Sequence, residues 1–230
     1  ASKIAEKHNL AVIEDCSQSP TALYKGRFAG TVADIGVLSL NYHKHIHTGE
    51  GGILITNDAI LAEKLRLIRN HAEVVVGPKG HTDLINMVGH NFRLGEIECA
   101  IGIEQLKRFP EFSAKRKSIA RLYNAQLFSS PEIVPLLDNY DDVVPHIYVI
   151  MLQSGIDREM IRDRLINRGI QTGIHYQPNH RLSLYQDVSE DFCETDKIYS
   201  RLLTLPLHPD LSEKDIEKVC EVLIDAVQEN

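Results

Sequence analysis

Lys44 stands between His43 and His45, with His47 two residues further on, inside the polar segment 41–51. A lysine amine becomes a nucleophile or a proton carrier once it sheds its charge; an exposed cation is the commoner fate of this residue type. Asp15 closes the run Leu10-Ala11-Val12-Ile13-Glu14-Asp15 and is followed by Cys16 and Gln18. A carboxylate in that place reads as a functional acid, a helix cap or a loop anchor. Cys16 has no base beside it, so a packing thiol is the simpler reading than a nucleophile. The three alternating histidines would share one face of an extended segment, which admits a metal. Apart from Glu50, however, no carboxylate or thiol stands at ligand spacing. The turn Gly49-Glu50-Gly51-Gly52 reads as an anion cradle or, more commonly, as a tight connection into a strand. In combination these groups say more than they do singly. Asp15, Gln18 and a lysine just past Ser39 could converge on one crevice, which is what pyridoxal phosphate requires. An amine forms a Schiff base with the cofactor aldehyde, and a carboxylate keeps the ring nitrogen protonated so that the ring accepts a carbanion's electrons.

The elements that must position these groups follow from apolar spacing. Residues 1–8 place Ala1, Ile4, Ala5 and His8 on one helical face, and Asn9 reads as the stop. A helix entering a strand in this way is half of a βαβ crossover, so the expectation is that material upstream of Ala1 belongs to the same folding unit. The run 10–13 reads as a buried parallel strand whose carboxyl end carries Glu14 and Asp15, the edge at which open α/β sheets bind ligands. Strands are expected over 35–40 and 52–56. A helix capped by Asp58 is expected to reach about residue 70, followed by a loop over 71–82. Residues 93–109, with Ile97, Ile101 and Leu106, read as a closely packed helix that Pro110 terminates. A second long helix, about 111–128, has Lys115, Arg116, Lys117 and Arg121 on a solvated face, with an anionic ligand as the other reading.

Beyond that helix the pattern changes to α+β, with strands at 146–152 and 169–176 and helices at 157–168 and 190–203. A last helix opens with Ser212 and Asp215 as a capping pair and carries Ile216, Val219, Leu223 and Val227 on one stripe. The expected division is therefore a first domain over 1–112 and a smaller one over 113–230. The whole chain has 230 residues, 43% hydrophobic and 25% charged, with a net charge of −7, which argues against a nucleic-acid binder. Its apolar runs fall far short of the roughly 20 residues that cross a bilayer, so no membrane partner is expected. Four dispersed cysteines, Cys16, Cys99, Cys193 and Cys220, form no CxxC pair, which fits a reduced, cytoplasmic protein.

Several ordered motifs carry a family resemblance. They are Val12-Ile13-Glu14-Asp15-Cys16-Ser17-Gln18, Ser39-Leu40 leading to Lys44, His47-Thr48-Gly49-Glu50-Gly51-Gly52, and Gly89-His90-Asn91-Phe92-Arg93. In the second half they are Gly173-Ile174-His175-Tyr176-Gln177-Pro178-Asn179-His180 and Leu205-Pro206-Leu207-His208-Pro209. With these, the chain resembles the nucleotide-sugar aminotransferases of the DegT/StrS group. The resemblance implies an α/β fold: the C-terminal part of a fold-type I pyridoxal-phosphate-dependent transferase, with a partial large-domain sheet, flanking helices and a smaller α+β domain. It also implies that the family's N-terminal phosphate loop and ring-stacking aromatic lie outside these residues.

Carried over position by position, the resemblance implies that Lys44 bonds the cofactor and shuttles the substrate proton. Asp15 would hold the ring nitrogen, Gln18 the ring hydroxyl and Ser39 the phosphate. Asn91 would reach a partner's phosphate across a homodimer with shared active sites. His175, Tyr176 and His180 would approach the sugar, although His175 and Tyr176 equally suit a strand end in the small domain. The implied reaction moves an amino group from an amino acid, glutamate in most members, to a keto group of a nucleotide-linked deoxysugar. Such products serve cell-surface polysaccharides, including lipopolysaccharide O-antigen. Members with histidine in place of this lysine dehydrate the sugar instead, and Lys44 favours transamination. The remaining alternative is a catalytically inert piece of such an enzyme.

Overall fold

The computed structural model describes residues 2–73, 87–185 and 192–229. The described residues fall into two compact units, Ala1–Phe112 with Asp142–Val144, and Ser113–Asp141 with Pro145–Asn230.

In the first unit, α1 (Ser2–His8) leads into β1 (Ile13–Asp15). A two-stranded hairpin follows, β2 (Leu23–Tyr24) and β3 (Arg27–Phe28), turning through Lys25 and Gly26 at φ of 52° and 76°. Both central residues of a two-residue hairpin turn of this kind need positive φ, which glycine supplies without strain. Next come β4 (Ile35–Ser39), β5 (Gly52–Ile55) and α2 (Ala59–Arg69). The sheet order is β1-β4-β5. β1 runs parallel to β4, pairing Asp15 with Val37, and β5 runs antiparallel to β4, pairing Ser39 with Gly52. Asp15 and Ser39 therefore end at the same edge, and the segment between β4 and β5 starts and finishes there. Asp58 caps α2 by accepting from the amides of Ile60 (2.7 Å) and Leu61 (3.0 Å), as its position before the apolar spacing predicts.

Close backbone approach holds β1 and β4 in register. The Glu14 carboxylate accepts from the amides of Val32 (2.8 Å) and Ala33 (2.9 Å), and the Asp34 carboxylate accepts from the Val12 amide at 2.7 Å. Burial pushes the Glu14 pKa up, but the amides of Ala33, Val32 and Gly30 and the nearby Arg27 charge outweigh it and leave the group below its ordinary 4.5. Gly30 lies against Gly36 so tightly that a Cβ on Gly36 would sit 2.1 Å from the Gly30 carbonyl oxygen. The run 10–13 is not a buried strand. Ordered pairing starts only at Ile13, and Leu10 (60%) and Ile13 (64%) are exposed, because β1 has one hydrogen-bonded neighbour among the described residues.

The helix α3 (Glu96–Leu127) runs through Pro110 without interruption. Proline removes one backbone donor, yet here the flanking turns carry the helix across it, so the two helices expected around Pro110 are one. Its apolar spacing also misleads: Ile97, Ile101 and Leu106 are exposed, while Phe109 is buried with Leu40 and Ile46, and Leu94 and Phe112 pack against that cluster.

The second unit continues α3 into β6 (Ile133–Pro135), β7 (Tyr148–Leu152), α4 (Arg158–Asn167), α5 (Cys193–Tyr199), β8 (Leu202–Leu205) and α6 (Glu213–Gln228). Its sheet is antiparallel in the order β6-β7-β8. Tyr123, Tyr148, Ile150, Leu165, Leu203 and Leu223 are fully buried between the sheet and α3, α4 and α6. The Tyr123 and Tyr148 rings stack at 4.6 Å, and each hydroxyl donates, to the Pro206 carbonyl (3.0 Å) and to Asn124 Oδ1 (2.7 Å). Ser212 and Asp215 form the reciprocal capping box of α6.

Three expectations fail in this unit. Residues 169–176 form no strand; Gly173 makes a single bridge to Thr204. The expected helix 190–203 is the shorter α5, and 202–205 is a strand, because a short apolar run does not distinguish the two periods; its start at 190 lies outside the described residues, as does 74–86 of the loop expected over 71–82. Arg116 does not lie on a solvated face. It is buried and donates to the carbonyls of Leu207 (3.2 Å) and His146 (3.3 Å), while Lys117 and Arg121 engage Asp141.

Candidate active site

The segment after Ser39 is a closed loop whose own polar groups hold it shut. Leu40 donates its amide to the Gly51 carbonyl (2.9 Å) and its carbonyl receives the Thr48 amide (3.0 Å), so the two ends of the loop are clasped. Asn41 organises the interior: its Oδ1 accepts from the His43 amide (3.0 Å), its Nδ2 donates to Glu50 (2.7 Å), and its carbonyl accepts from the Lys44 amide (2.9 Å). This is the local side-chain-to-backbone bonding that asparagine favours in turns. Leu40 and Ile46 sink into the cluster with Phe109, and Lys44 is left half-buried on the turn above it. The Gly49–Gly52 stretch is thus a tight connection into β5, with Gly49 and Gly51 at φ of 90° and 152°.

Turning the segment also separates the histidines. His43 is exposed and lies 3.8 Å, centroid to centroid, from the Tyr42 ring; His45 is buried; His47 is exposed. They do not share a face, and among the described residues no group of three His, Cys, Asp or Glu side chains is placed to hold a metal ion.

Asp15 is held by its own neighbours at the end of β1. The Ser17 hydroxyl (2.5 Å) and amide (3.0 Å) both donate to Asp15 Oδ1. Those two bonds, with the Lys44 charge as a further contribution, hold the carboxyl below its ordinary 3.8. A carboxyl lowered in this way is ionised throughout the neutral range, and it reverts only as acid passes through the lowered value. We expect Ser17→Ala, which removes the hydroxyl donor, to move the Asp15 midpoint up towards 3.8 in a carboxyl NMR titration; an unchanged midpoint would mean that the serine does not set it.

The other residues fall as follows. Gln18 is exposed beyond Asp15, and Ser39 Oγ, half-buried at the end of β4, accepts from the Asn41 amide at 3.2 Å. Cys16 is buried; burial first and the Glu14 charge second push its thiol pKa up, which fits a packing thiol. Asn91 is exposed and bridges Asn70 at the end of α2, where His90 and Phe92 donate their amides to Ile68 and Arg69. In the second unit, His175 Nδ1 meets Thr204 Oγ1 at 2.9 Å and Tyr176 is exposed. His180 Nε2 lies 3.0 Å from Asp196, which Arg181 also engages, and its ring stacks on Phe192. Sequence spacing offers His45 only as one of three alternating histidines and foresees neither its burial nor the remote segment that receives it; no local pattern marks a bond between positions 99 residues apart.

Known proteins are similar to the chain over nearly all of its length. The chain is 29% identical over 232 residues to the UDP-4-amino-4,6-dideoxy-N-acetyl-beta-L-altrosamine transaminase of Campylobacter jejuni, covering 99% of this chain and 61% of the relative. It is 32% identical over 223 residues to the dTDP-3-amino-3,6-dideoxy-alpha-D-galactopyranose transaminase of Aneurinibacillus thermoaerophilus, covering 96% and 59%. The solved structure of Helicobacter pylori PseC, an aminotransferase involved in the biosynthesis of pseudoaminic acid, superposes with a TM-score of 0.90 at 29% identity, covering 99% of this chain and 62% of that one. The chain spans about three fifths of the length of these curated relatives. The α/β fold is accordingly that of the corresponding part of such aminotransferases. Residues 1–224 match the description of one family throughout, and the chain belongs to the DegT/DnrJ/EryC1/StrS aminotransferases.

Proposed function

We propose that the protein of which this chain forms a part is a pyridoxal-phosphate-dependent sugar aminotransferase. It takes the amino group of an amino acid, glutamate as the leading donor, to a keto group of a nucleotide-linked deoxysugar for amino-sugar and cell-surface polysaccharide synthesis. The observation that supports this reading is that Asp15 and Ser39 close parallel strands at one sheet edge, from which the loop carrying Lys44 departs and to which it returns. These groups fit the cofactor: an anion for a pyridinium proton, a hydroxyl for a phosphate oxygen, and an amine on a loop fixed at both ends. When bound, pyridoxal phosphate supplies an aldehyde for the amine and a sink for the electrons left on the substrate α-carbon.

In this reading Lys44 Nζ anchors the cofactor and then moves the α-proton, Asp15 keeps a proton on the ring nitrogen, and Gln18 and Ser39 orient the ring and phosphate. Asn91, on its strapped segment, reaches the phosphate of a partner subunit in a homodimer. His175, Tyr176 and His180 face the sugar, His180 through ring atoms other than the Nε2 that Asp196 engages. Residues 1–112 then form part of the cofactor-binding large domain and 113–230 the small domain, in a cytoplasmic enzyme. Lys44 and the relatives named as transaminases support amino transfer over dehydration.

The test is borohydride reduction of the full-length protein after loading with pyridoxal phosphate, followed by peptide mass mapping. The expected product carries the reduced cofactor on Lys44. Label on another lysine, or none, would overturn the assignment. Titrating the 230-residue piece alone with pyridoxal phosphate addresses the inert alternative, which stoichiometric binding would remove.

A further inference from the structure

We propose that His45 is a positioning residue for Lys44, acting as a buckle that fastens the lysine loop to the segment Asp142–Val144. This rests on the assignment of Lys44 above.

Two sets of bonds shape the loop from within, those of Asn41 and those between Leu40, Thr48, Glu50 and Gly51. They fix its curvature, yet every one of them would survive if the loop moved as a body. The bond from His45 is different in kind, because it leaves the loop: its Nε2 lies 3.1 Å from the Val144 carbonyl oxygen, 99 residues away in sequence. A carbonyl only accepts, so Nε2 must carry the hydrogen, and the contact selects that form of the ring. The imidazole is 96% buried and meets the Phe109 ring edge-on at 6.3 Å. The receiving segment is itself anchored, since the Asp142 carbonyl accepts the Leu23 amide at 2.7 Å.

Lys44 is the residue directly before this buried ring. With Ile46 also buried, the backbone on the C-terminal side of the lysine is pinned from below, and its N-terminal side is pinned by the Lys44 amide bond to Asn41. Neither bond touches the reacting amine. What they remove is its freedom to sit elsewhere, and a displacement of about 1 Å of a catalytic group can cost about a hundredfold in rate. A phenylalanine at 45 would keep the edge-on packing and lose the donor; a glutamine keeps a donor of similar reach.

The test uses the full-length protein. In His45→Phe we expect kcat to fall about tenfold to a hundredfold with KM for the amino donor unchanged. Amide exchange should accelerate over residues 40–51 and remain native elsewhere, with or without cofactor. Borohydride should still fix pyridoxal phosphate on Lys44. His45→Gln should recover both kcat and exchange protection. Native exchange and kcat in His45→Phe would overturn the proposal, as would acceleration spread over the whole chain, which marks a general packing role. In the unsubstituted protein, nitrogen NMR of His45 provides a check that no folding defect can spoil: the hydrogen is expected on Nε2, and a ring protonated on Nδ1 alone would also overturn it. Should the unsubstituted protein take no label on Lys44, the assignment of that lysine falls, while the exchange and NMR results still judge the buckle.

Discussion

Lys44→Ala in the full-length protein is expected to abolish covalent retention of pyridoxal phosphate and to lower amino transfer about a thousandfold or more. Alanine removes the anchoring amine and the proton carrier together. It leaves the loop intact, because Lys44 contributes to the fold through its backbone amide, which stays bonded to the Asn41 carbonyl. Thermal unfolding should therefore be native while single-turnover reaction with glutamate is lost. Lys44→Arg separates charge from nucleophilicity: the guanidinium still presents a cation to Asp15 but does not deprotonate, so this variant should fail as completely. Native turnover in either variant would place the nucleophile elsewhere.

Gly36→Ala is expected to destabilise the protein by about 3 kcal/mol. The added methyl would lie 2.1 Å from the Gly30 carbonyl oxygen and 2.6 Å from its Cα, and both are backbone atoms that no rotamer change can move aside. Relief requires parting the 30–36 crossing, and that crossing holds β4 beside β1. Because Gly36 pairs with Glu14, one residue from Asp15, the same shift moves the acid relative to Ser39. Urea unfolding should show the lower midpoint, and the folded fraction should bind pyridoxal phosphate more weakly. An unchanged midpoint would mean that the Gly30 backbone yields at little cost.

Features encoded within a few residues were legible in the sequence. The Asp58 cap, the Ser212–Asp215 box and the buried stripe Ile216, Val219, Leu223 and Val227 depend on neighbours three or four positions away, and the structure has them all. The strands expected over 35–40 and 52–56 from short apolar runs bounded by polar loops form over Ile35–Ser39 and Gly52–Ile55. What failed depended on distant partners. Arg116 looked solvated because its neighbours are basic, but the carbonyls that receive it lie 30 and 91 residues away. The histidine alternation implied a shared face only if the chain were extended, and the bonds of Asn41 fold it instead. β8 became a strand because β7 offers it a ladder, which its own four residues do not announce. At the proposed site, the sequence suggests Asp15 and Lys44 as a pair, whereas the Ser17 bonds to the acid and the reach of His45 to Val144 emerged only in three dimensions.

The excursion of residues 142–144 into the first unit also bears on how such chains can be recombined. A hybrid spliced at residue 112 takes its lysine loop from one parent and the carbonyl that receives His45 from the other. Exchange of the rear portion between relatives thus swaps one half of that fastening along with the helices and sheet behind it. Grafts that carry 142–144 with the front parent should keep the loop seated, so a workable seam for exchanging specificity is discontinuous in the gene.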